Sequence, residues 1–235
     1  MIPTKHNPTP ADQPAMVIEY TDPLEGFKGW LVRDRFCHQI CAGGMRVQPG
    51  ITRQKLIDMA RNMTLKMQVA GIRVDGAKSG IDYDPDAPGK GAAITRFLQA
   101  IEPFIKCCYS MGPDLNVEMD ELEKAAAKTG IPSVKMAVAG AQGWAMDYYL
   151  ARSEIVQQEV EGWSISRLRA GYGVAAAVLA MLDFIKIPHT GASVAIQGFG
   201  TLAKAAAWRL AKAGVNIVGL ADMKNGSHTR LTSYN

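Results

Sequence analysis

The strongest constraint on this chain sits near its C-terminal end, where strand, turn, helix and strand follow one another in register. Ala192-Ser-Val-Ala-Ile-Gln197 reads as a buried strand, Thr201 to Ala213 as a helix, and Val215-Asn-Ile-Val-Gly-Leu-Ala221 as a second strand. Between the first two lies Gly198-Phe199-Gly200-Thr201-Leu202-Ala203, a G-x-G-x-x-A pattern, and Asp222 closes the second strand 24 residues after Gly198. Two strands joined through a helix call for a parallel βαβ unit, which places the chain among α/β proteins.

Each position in that turn has a physical task. Gly198 permits the tight turn, and Gly200 lets backbone amides approach a pyrophosphate. Ala203 allows close helix–strand packing, and the helix N-terminus offers positive potential to phosphates. Asp222 can accept hydrogen bonds from a ribose 2′-hydroxyl, which favours NAD, while the nearby Lys224 keeps NADP open.

Composition excludes several other classes. The net charge of +4 is mild and scattered, with no basic stretch interleaved with aromatics, so nucleic acid is not an expected partner. The first fifteen residues hold four prolines and no apolar core, so no signal peptide is expected and the cytoplasm is the expected compartment. The most apolar run, Val174 to Leu182, is nine residues long, about half of a membrane span. Cys37, Cys41, Cys107 and Cys108 form no C-x-x-C pair and have no zinc-type histidine partners, so buried thiols are expected and no metal site.

Upstream, residues 1–15 read as a flexible arm. Val17 to Tyr20 and Gly29 to Val32 read as strands around the Asp22–Pro23 turn, and His38 to Ala42 as a third strand stopped by Gly43–Gly44. Thr52 is a candidate N-cap for a helix to about Val69, with Leu56, Met59, Ala60, Met63 and Met67 as its buried stripe and Lys66 at its border. A lysine there either snorkels to water or faces something anionic. Arg73 to Ile81 is dense in small residues. A helix is expected from Ala92 to about Ile105, a strand at Cys107 to Tyr109, and a helix from about Glu118 to Lys128 ending at Gly130. Residues 131–162 have weak periodicity and suggest a hinge, and Ser166 to Lys186 is helical.

Several of these segments resemble, in order, the motifs of the glutamate/leucine/phenylalanine/valine dehydrogenase family. Ala42-Gly43-Gly44-Met45-Arg46 is similar to its G-G-x-R turn, Met63-Thr-Leu-Lys66 to its M-T-x-K helix end, and Gly76-Ala-Lys78 to its G-[GA]-K loop. The two lysines stand twelve residues apart, as in the family. Pro113-Asp-Leu-Asn-Val117, Gly171-Tyr-Gly173-Val and the Gly198 turn also match, so the likeness covers roughly residues 16 to 226.

The resemblance implies oxidative deamination of an L-amino acid to a 2-oxo acid and ammonia, with NAD(P) as hydride acceptor. Lys66 would pair with the substrate α-carboxylate, Lys78 would activate the water that adds to the iminium, and Asp114 would move protons to and from the amino group. These residue types suit the task. A lysine with an ordinary pKa near ~10.4 is a poor base at neutral pH, and a second ammonium in a small-residue cleft would lower it. The expectation is therefore that Lys66, Lys78 and Asp114 gather around one cavity that faces the Gly198 turn. Glutamate-specific members carry a lysine just before the Gly-Gly turn. Here that position is Ala42, so an apolar amino-acid substrate is expected.

The domains implied are the arm 1–15, an N-terminal α/β substrate and oligomerisation domain over 16–162, and a partial Rossmann-like nucleotide-binding domain over 163–235. A homo-oligomer is the expected assembly. Three positions depart from the family pattern: Ala170 replaces a threonine that bonds the nicotinamide carboxamide, Thr201 replaces an asparagine, and Ser79 replaces a glycine. After Asp222 only thirteen residues follow, against about six strands in a full dinucleotide fold. The expectation is a truncated nucleotide-binding domain with little or no dehydrogenase activity. The alternatives are a non-catalytic oligomerising or regulatory fragment, and a different NAD-dependent enzyme that acts on another carbonyl.

Overall fold

A computed structural model describes residues 13–222 and the backbone of Gly226–Ser227; Lys224 and residues 1–12 of the expected arm lie outside the described residues. The chain divides into two units, Met1–Tyr149 and Leu150–Asn235, so the boundary expected at 162/163 falls inside the second.

The first unit starts with an antiparallel hairpin, β1 (Met16–Thr21) and β2 (Lys28–Arg33). Asp22 builds its turn by accepting the backbone N–H groups of Leu24 and Glu25, and Gly26 supplies the left-handed residue at φ 71°. β3 (Cys41–Val47), α1 (Arg53–Val69), β4 (Asp75–Ile81), α2 (Lys90–Ala100), α3 (Glu102–Cys107) and β5 (Tyr109–Pro113) follow. They form one sheet in the order β1-β2-β4-β3-β5, with β4, β3 and β5 mutually parallel. α4 (Met119–Lys128), α5 (Met136–Gln142) and α6 (Met146–Ser153) complete the run.

The sheet is covered on both faces, and the alternation within β2 shows how. Trp30 and Val32 pack with Leu56, Ile57 and Ala60 of α1, whereas Leu31 packs with Phe97, Ile105 and Leu122 on the other side. Thr52 caps α1 by accepting the Lys55 N–H at 3.3 Å, as the sequence predicts. The buried stripe of α1 is rotated from its expected line. Leu56, Ile57, Ala60 and Thr64 are buried, while Met59, Met63 and Met67 are half-buried. The reason is Gly76. A Cβ there would sit 2.2 Å from Ala60 O and from Thr64 N, so the helix backbone rests directly on β4, and Thr64 Oγ1 accepts the Gly76 N–H at 3.0 Å.

Five further expectations are corrected. The third strand is not stopped by Gly43–Gly44 but runs through both as β3, because a side chain at Gly43 would strike Ala77 O at 1.7 Å. The small-residue segment that resembles a loop is β4, buried along its whole length at the centre of the sheet. The single helix expected over 92–105 is two, α2 and α3, divided at Ile101 just before Pro103, which enters at the first turn of α3 where its missing N–H does no harm. The strand expected at Cys107 begins only at Tyr109, and Cys107 and Cys37 are exposed, not buried.

Residues 131–162, read as a hinge of weak periodicity, carry α5, α6, a 3₁₀ turn at Glu154–Gln157 and the strand β6 (Glu159–Val160). β6 pairs with β7 (Trp163–Ser164) within the second unit, followed by α7 (Ile165–Phe184), β8 (Ser193–Gln197), α8 (Thr201–Lys212), β9 (Asn216–Ala221) and β10 (Gly226–Ser227). β8 and β9 are parallel and β10 is antiparallel to β9. β8 alternates instead of being buried throughout. Val194 and Ile196 are half-buried and join the core of Leu179, Ala206 and Leu210, while Ser193, Ala195 and Gln197 face outward. α7 is long and apolar enough by composition to cross a membrane. It packs on α8 so closely that a Cβ at Gly171 would meet Leu202 O at 2.2 Å.

Candidate active site

The reactive side chains of the first unit come from three adjacent parallel strands. Lys78 is the fourth residue of β4, Gly43, Gly44 and Arg46 belong to β3, and Asp114 follows the last residue of β5. The register pairs Gly44 with Gly112 and Met45 with Pro113, and the Asp114 N–H donates to Met45 O at 3.0 Å. That holds the Asp114 carboxylate over Gly44. A Cβ at position 44 would lie 2.9 Å from Asp114 Cβ and 3.2 Å from Lys78 Nζ, so glycine is what lets the two meet.

They meet at 2.9 Å, Lys78 Nζ to Asp114 Oδ2, and the Arg46 guanidinium donates to the same oxygen through Nε at 2.7 Å. Arg46 Nη1 is held in turn by Gln48 Oε1 at 3.2 Å. No donor among the described residues is bonded to Asp114 Oδ1, which stays open. Burial pushes the Asp114 carboxyl up, but the hydrogen bonds from Arg46 and Lys78 outweigh it and hold its pKa below the usual aspartate range. The side chain of Lys78 is only 8% exposed, so its ammonium depends on that carboxylate.

Lys66 lies on a helix, not on the sheet that carries Lys78 and Asp114. It stands exposed on the last turn of α1 and forms no ion pair with Asp114. The neighbour of Lys78 is a carboxylate, and the second cation at that carboxylate is Arg46, which the sequence shows only as part of the Gly-Gly turn. Ala42 is half-buried in β3, one residue before Gly43. Tyr109 is the other side chain that sequence reasoning missed. Its fully buried hydroxyl donates to Gly43 O at 3.3 Å and bonds Ser79 Oγ at 2.9 Å, tying β5, β3 and β4 together beneath the site. Ser79 is tolerated where a glycine is common because Tyr109 satisfies it. Only the crowding of small residues at 42–46 and 76–79 hinted at such close approach.

The second unit makes its candidate site mostly from backbone. Gly198 turns at φ 83°, and its N–H donates to Ala221 O at 2.7 Å, linking the end of β8 to the end of β9. Gly200 is the N-cap of α8, no side chain caps that end, and nothing lies within 4 Å of where a Cβ at Gly200 would be. An uncapped helix start beside open space suits a phosphate, so these residues fit a dinucleotide. Phe199 is half-buried with Lys204 Nζ 5.8 Å above its ring, Thr201 and Leu202 are exposed in the first turn, Ala203 is half-buried, and Asp222 is exposed just beyond β9. Ala170 is exposed on α7.

Fold and site together define a two-part α/β protein: a lysine–aspartate centre on one sheet and a mononucleotide-type βαβ unit on another. The chain belongs to the glutamate/leucine/phenylalanine/valine dehydrogenase family. Residues 14–130 match the family model described as the Glu/Leu/Phe/Val dehydrogenase dimerisation domain, and residues 162–229 match that described as glutamate/leucine/phenylalanine/valine dehydrogenase. Among curated relatives, glutamate dehydrogenase B of Halobacterium salinarum is 27% identical over 195 residues, which cover 78% of this chain and 41% of the relative. The NADP-specific glutamate dehydrogenase of Neurospora crassa is 28% identical over 77% of this chain and 38% of its own length. NAD-specific glutamate dehydrogenase A of Halobacterium salinarum is 28% identical over 91% and 49%. The chain thus spans about half or less of the length of these relatives. Among solved structures, the hetero-hexameric glutamate dehydrogenase of Thermus thermophilus (Leu-bound form) aligns with a TM-score of 0.71 at 22% identity, over 92% of this chain and 52% of that one. L-tryptophan dehydrogenase from Nostoc punctiforme aligns with a TM-score of 0.55 at 16% identity, over 89% and 54%.

Proposed function

We propose that the chain carries the substrate-activating half of an NAD-dependent amino-acid dehydrogenase whose substrate has an apolar side chain. One observation supports this above all: Lys78 and Arg46 converge on a single oxygen of the Asp114 carboxylate, over a glycine whose missing side chain lets Lys78 and Asp114 meet.

Each residue then has a defined task. Lys78 Nζ orients and activates the water that adds to the substrate iminium. Asp114, kept ionised by its two cations, takes and returns the amino-group proton through Oδ1. Lys66, at the end of α1, holds the substrate α-carboxylate. Gly44 leaves the face under Lys78 and Asp114 free of a side chain, Gly43 lets β3 lie against the Ala77 carbonyl, and Ala42, on the same face as Gly44, lines the site. The nicotinamide cofactor, when bound, supplies the hydride acceptor. Gly198, Gly200 and the start of α8 hold its pyrophosphate, and Asp222 its adenosine ribose, which favours NAD. Relatives are named for NAD and for NADP, so the acidic residue carries that choice.

The substrate class follows from where cations are and are not. Position 42 offers no charge to a side-chain carboxylate, and the Arg46 guanidinium is engaged by Asp114 and Gln48. A glutamate side chain would lose hydration without a partner, which disfavours it strongly. A second role, assembly with sister subunits, draws on the dimerisation-domain match over 14–130.

The test is equilibrium binding and NAD reduction with leucine, valine, phenylalanine and glutamate in parallel. The reading expects an apolar amino acid or its 2-oxo acid to bind best, and Lys78→Ala to weaken that binding. Preference for glutamate would refute the substrate assignment. Undiminished binding in Lys78→Ala would refute the site.

A further inference from the structure

At the other end of the same sheet the structure brings together two thiols that the proposed chemistry does not use. Cys107 ends α3, and Cys108 is its C-cap, with φ −152° and ψ −12°, its N–H bonded to Phe104 O at 2.9 Å. Successive side chains on a strand point to opposite faces. Here the chain has left the helix and not yet entered β5, and the two sulfurs stand 3.1 Å apart. Cys107 is exposed and Cys108 half-buried, so the pair opens to solvent on one side. The Cys108 carbonyl accepts the Cys41 N–H at 2.8 Å, which fixes the backbone of the pair to the start of β3.

We infer that Cys107 and Cys108 form a two-thiol chelating site for a soft trivalent electrophile of the arsenical class. Two sulfurs each ~2.3 Å from one soft atom lie roughly 3.3–3.8 Å apart for bond angles between a right angle and the tetrahedral value. The observed 3.1 Å lies close to the short end of that bite, whereas a disulfide needs the sulfurs to close to about 2.05 Å. Among the described residues no group of three or more His, Cys, Asp and Glu side chains is arranged to hold a metal ion, so an ion that demands four protein ligands is poorly served. Cys41, buried nearby with its thiol pushed up to about 12 by burial, is not an available third ligand.

The reaction with an organoarsenic(III) oxide balances without an oxidant. Two arsenic–sulfur bonds form, the arsenic–oxygen bond breaks, and the two thiol protons leave with that oxygen as water. Arsenic stays trivalent.

The probe is phenylarsine oxide, added to the purified chain and read by intact mass and free-thiol titration. One adduct per chain is expected, with two thiols lost and the adduct resistant to excess monothiol but removed by a dithiol. Cys107→Ser and Cys108→Ser should each abolish the resistant adduct, while Cys37→Ser, which removes the other exposed thiol, should leave it unchanged. An adduct that persists in Cys107→Ser or Cys108→Ser, or one that a monothiol strips from the unaltered chain, overturns the assignment. Circular dichroism of each variant identifies misfolding, and wild-type monothiol resistance decides the matter even if a variant misfolds.

Discussion

The two units solve the problem of placing reactivity in opposite ways. Every buried charged side chain among the described residues (Asp22, Arg33, Asp34, Asp75 and Lys78) lies in the first unit, on or beside the five-stranded sheet. Among its described residues the second unit buries none, and its candidate site is a turn and a helix start. One half thus uses desolvated side chains, which must be paired to be tolerated. The other uses main-chain donors, which need only open space and glycine. The lesson is that damage should spread differently in the two: through stability in the first, through ligand affinity in the second.

The sharpest way to break that contrast is a pair of glycine substitutions. Gly43→Ala forces a Cβ onto Ala77 O and should destabilise the chain by about 3 kcal/mol in urea unfolding, the upper end of ordinary overpacking. Gly200→Ala meets nothing within 4 Å and should leave the urea midpoint unchanged while weakening NADH binding, read by fluorescence. If Gly200→Ala unfolds the chain as readily as Gly43→Ala, the contrast fails.

Next in size is Asp114→Asn. It leaves the Lys78 ammonium and the Arg46 guanidinium without their shared anion and should cost about 2 kcal/mol, measured the same way. Restoring neutrality with Asp114→Asn/Lys78→Met should recover part of that loss.

A graded effect is expected with acid. For both Asp75 and Asp114 burial raises the carboxyl, and hydrogen bonds, from Arg33 and His38 or from Arg46 and Lys78, reverse the sign and leave it below the unfolded value. The unfolded chain therefore binds more protons in the window beneath about pH 4, so stability rises with pH there. This contribution is complete above the unfolded pKa and is lost as pH falls through the lowered one. Urea midpoints measured down from pH 5 should drop, and Asp75→Asn should flatten the slope. The smallest effect is Thr52→Ala, which removes the α1 cap and should cost about 1 kcal/mol without touching the carboxylate centre.

Much of this was readable in residues, and the exceptions share a cause. The turn at Gly198, the Thr52 cap, α4 and α7 all depend on neighbours in sequence, so local pattern reveals them. β4 was invisible as a strand because Asp75, Lys78 and Ser79 interrupt its apolar character, and their compensation by Arg33, Asp114 and Tyr109 comes from residues 30 or more positions away. Arg46 was passed over for the same reason. Its value lies in where Asp114 arrives, and no spacing within 42–46 states that. The half-covered β8 misled in the opposite direction, since an apolar run does not say whether one face or both will be covered.

β3 also behaves as a ruler. Ala42, Gly43, Gly44 and Arg46 are marks on one strand, spaced at roughly 3.3 Å per residue and turned to alternate faces. Substitution can repaint any single mark, but an insertion or deletion would transfer all of them to the wrong side at once. Variants that keep this strand in register are therefore confined to changing letters, never the count between Ala42 and Arg46.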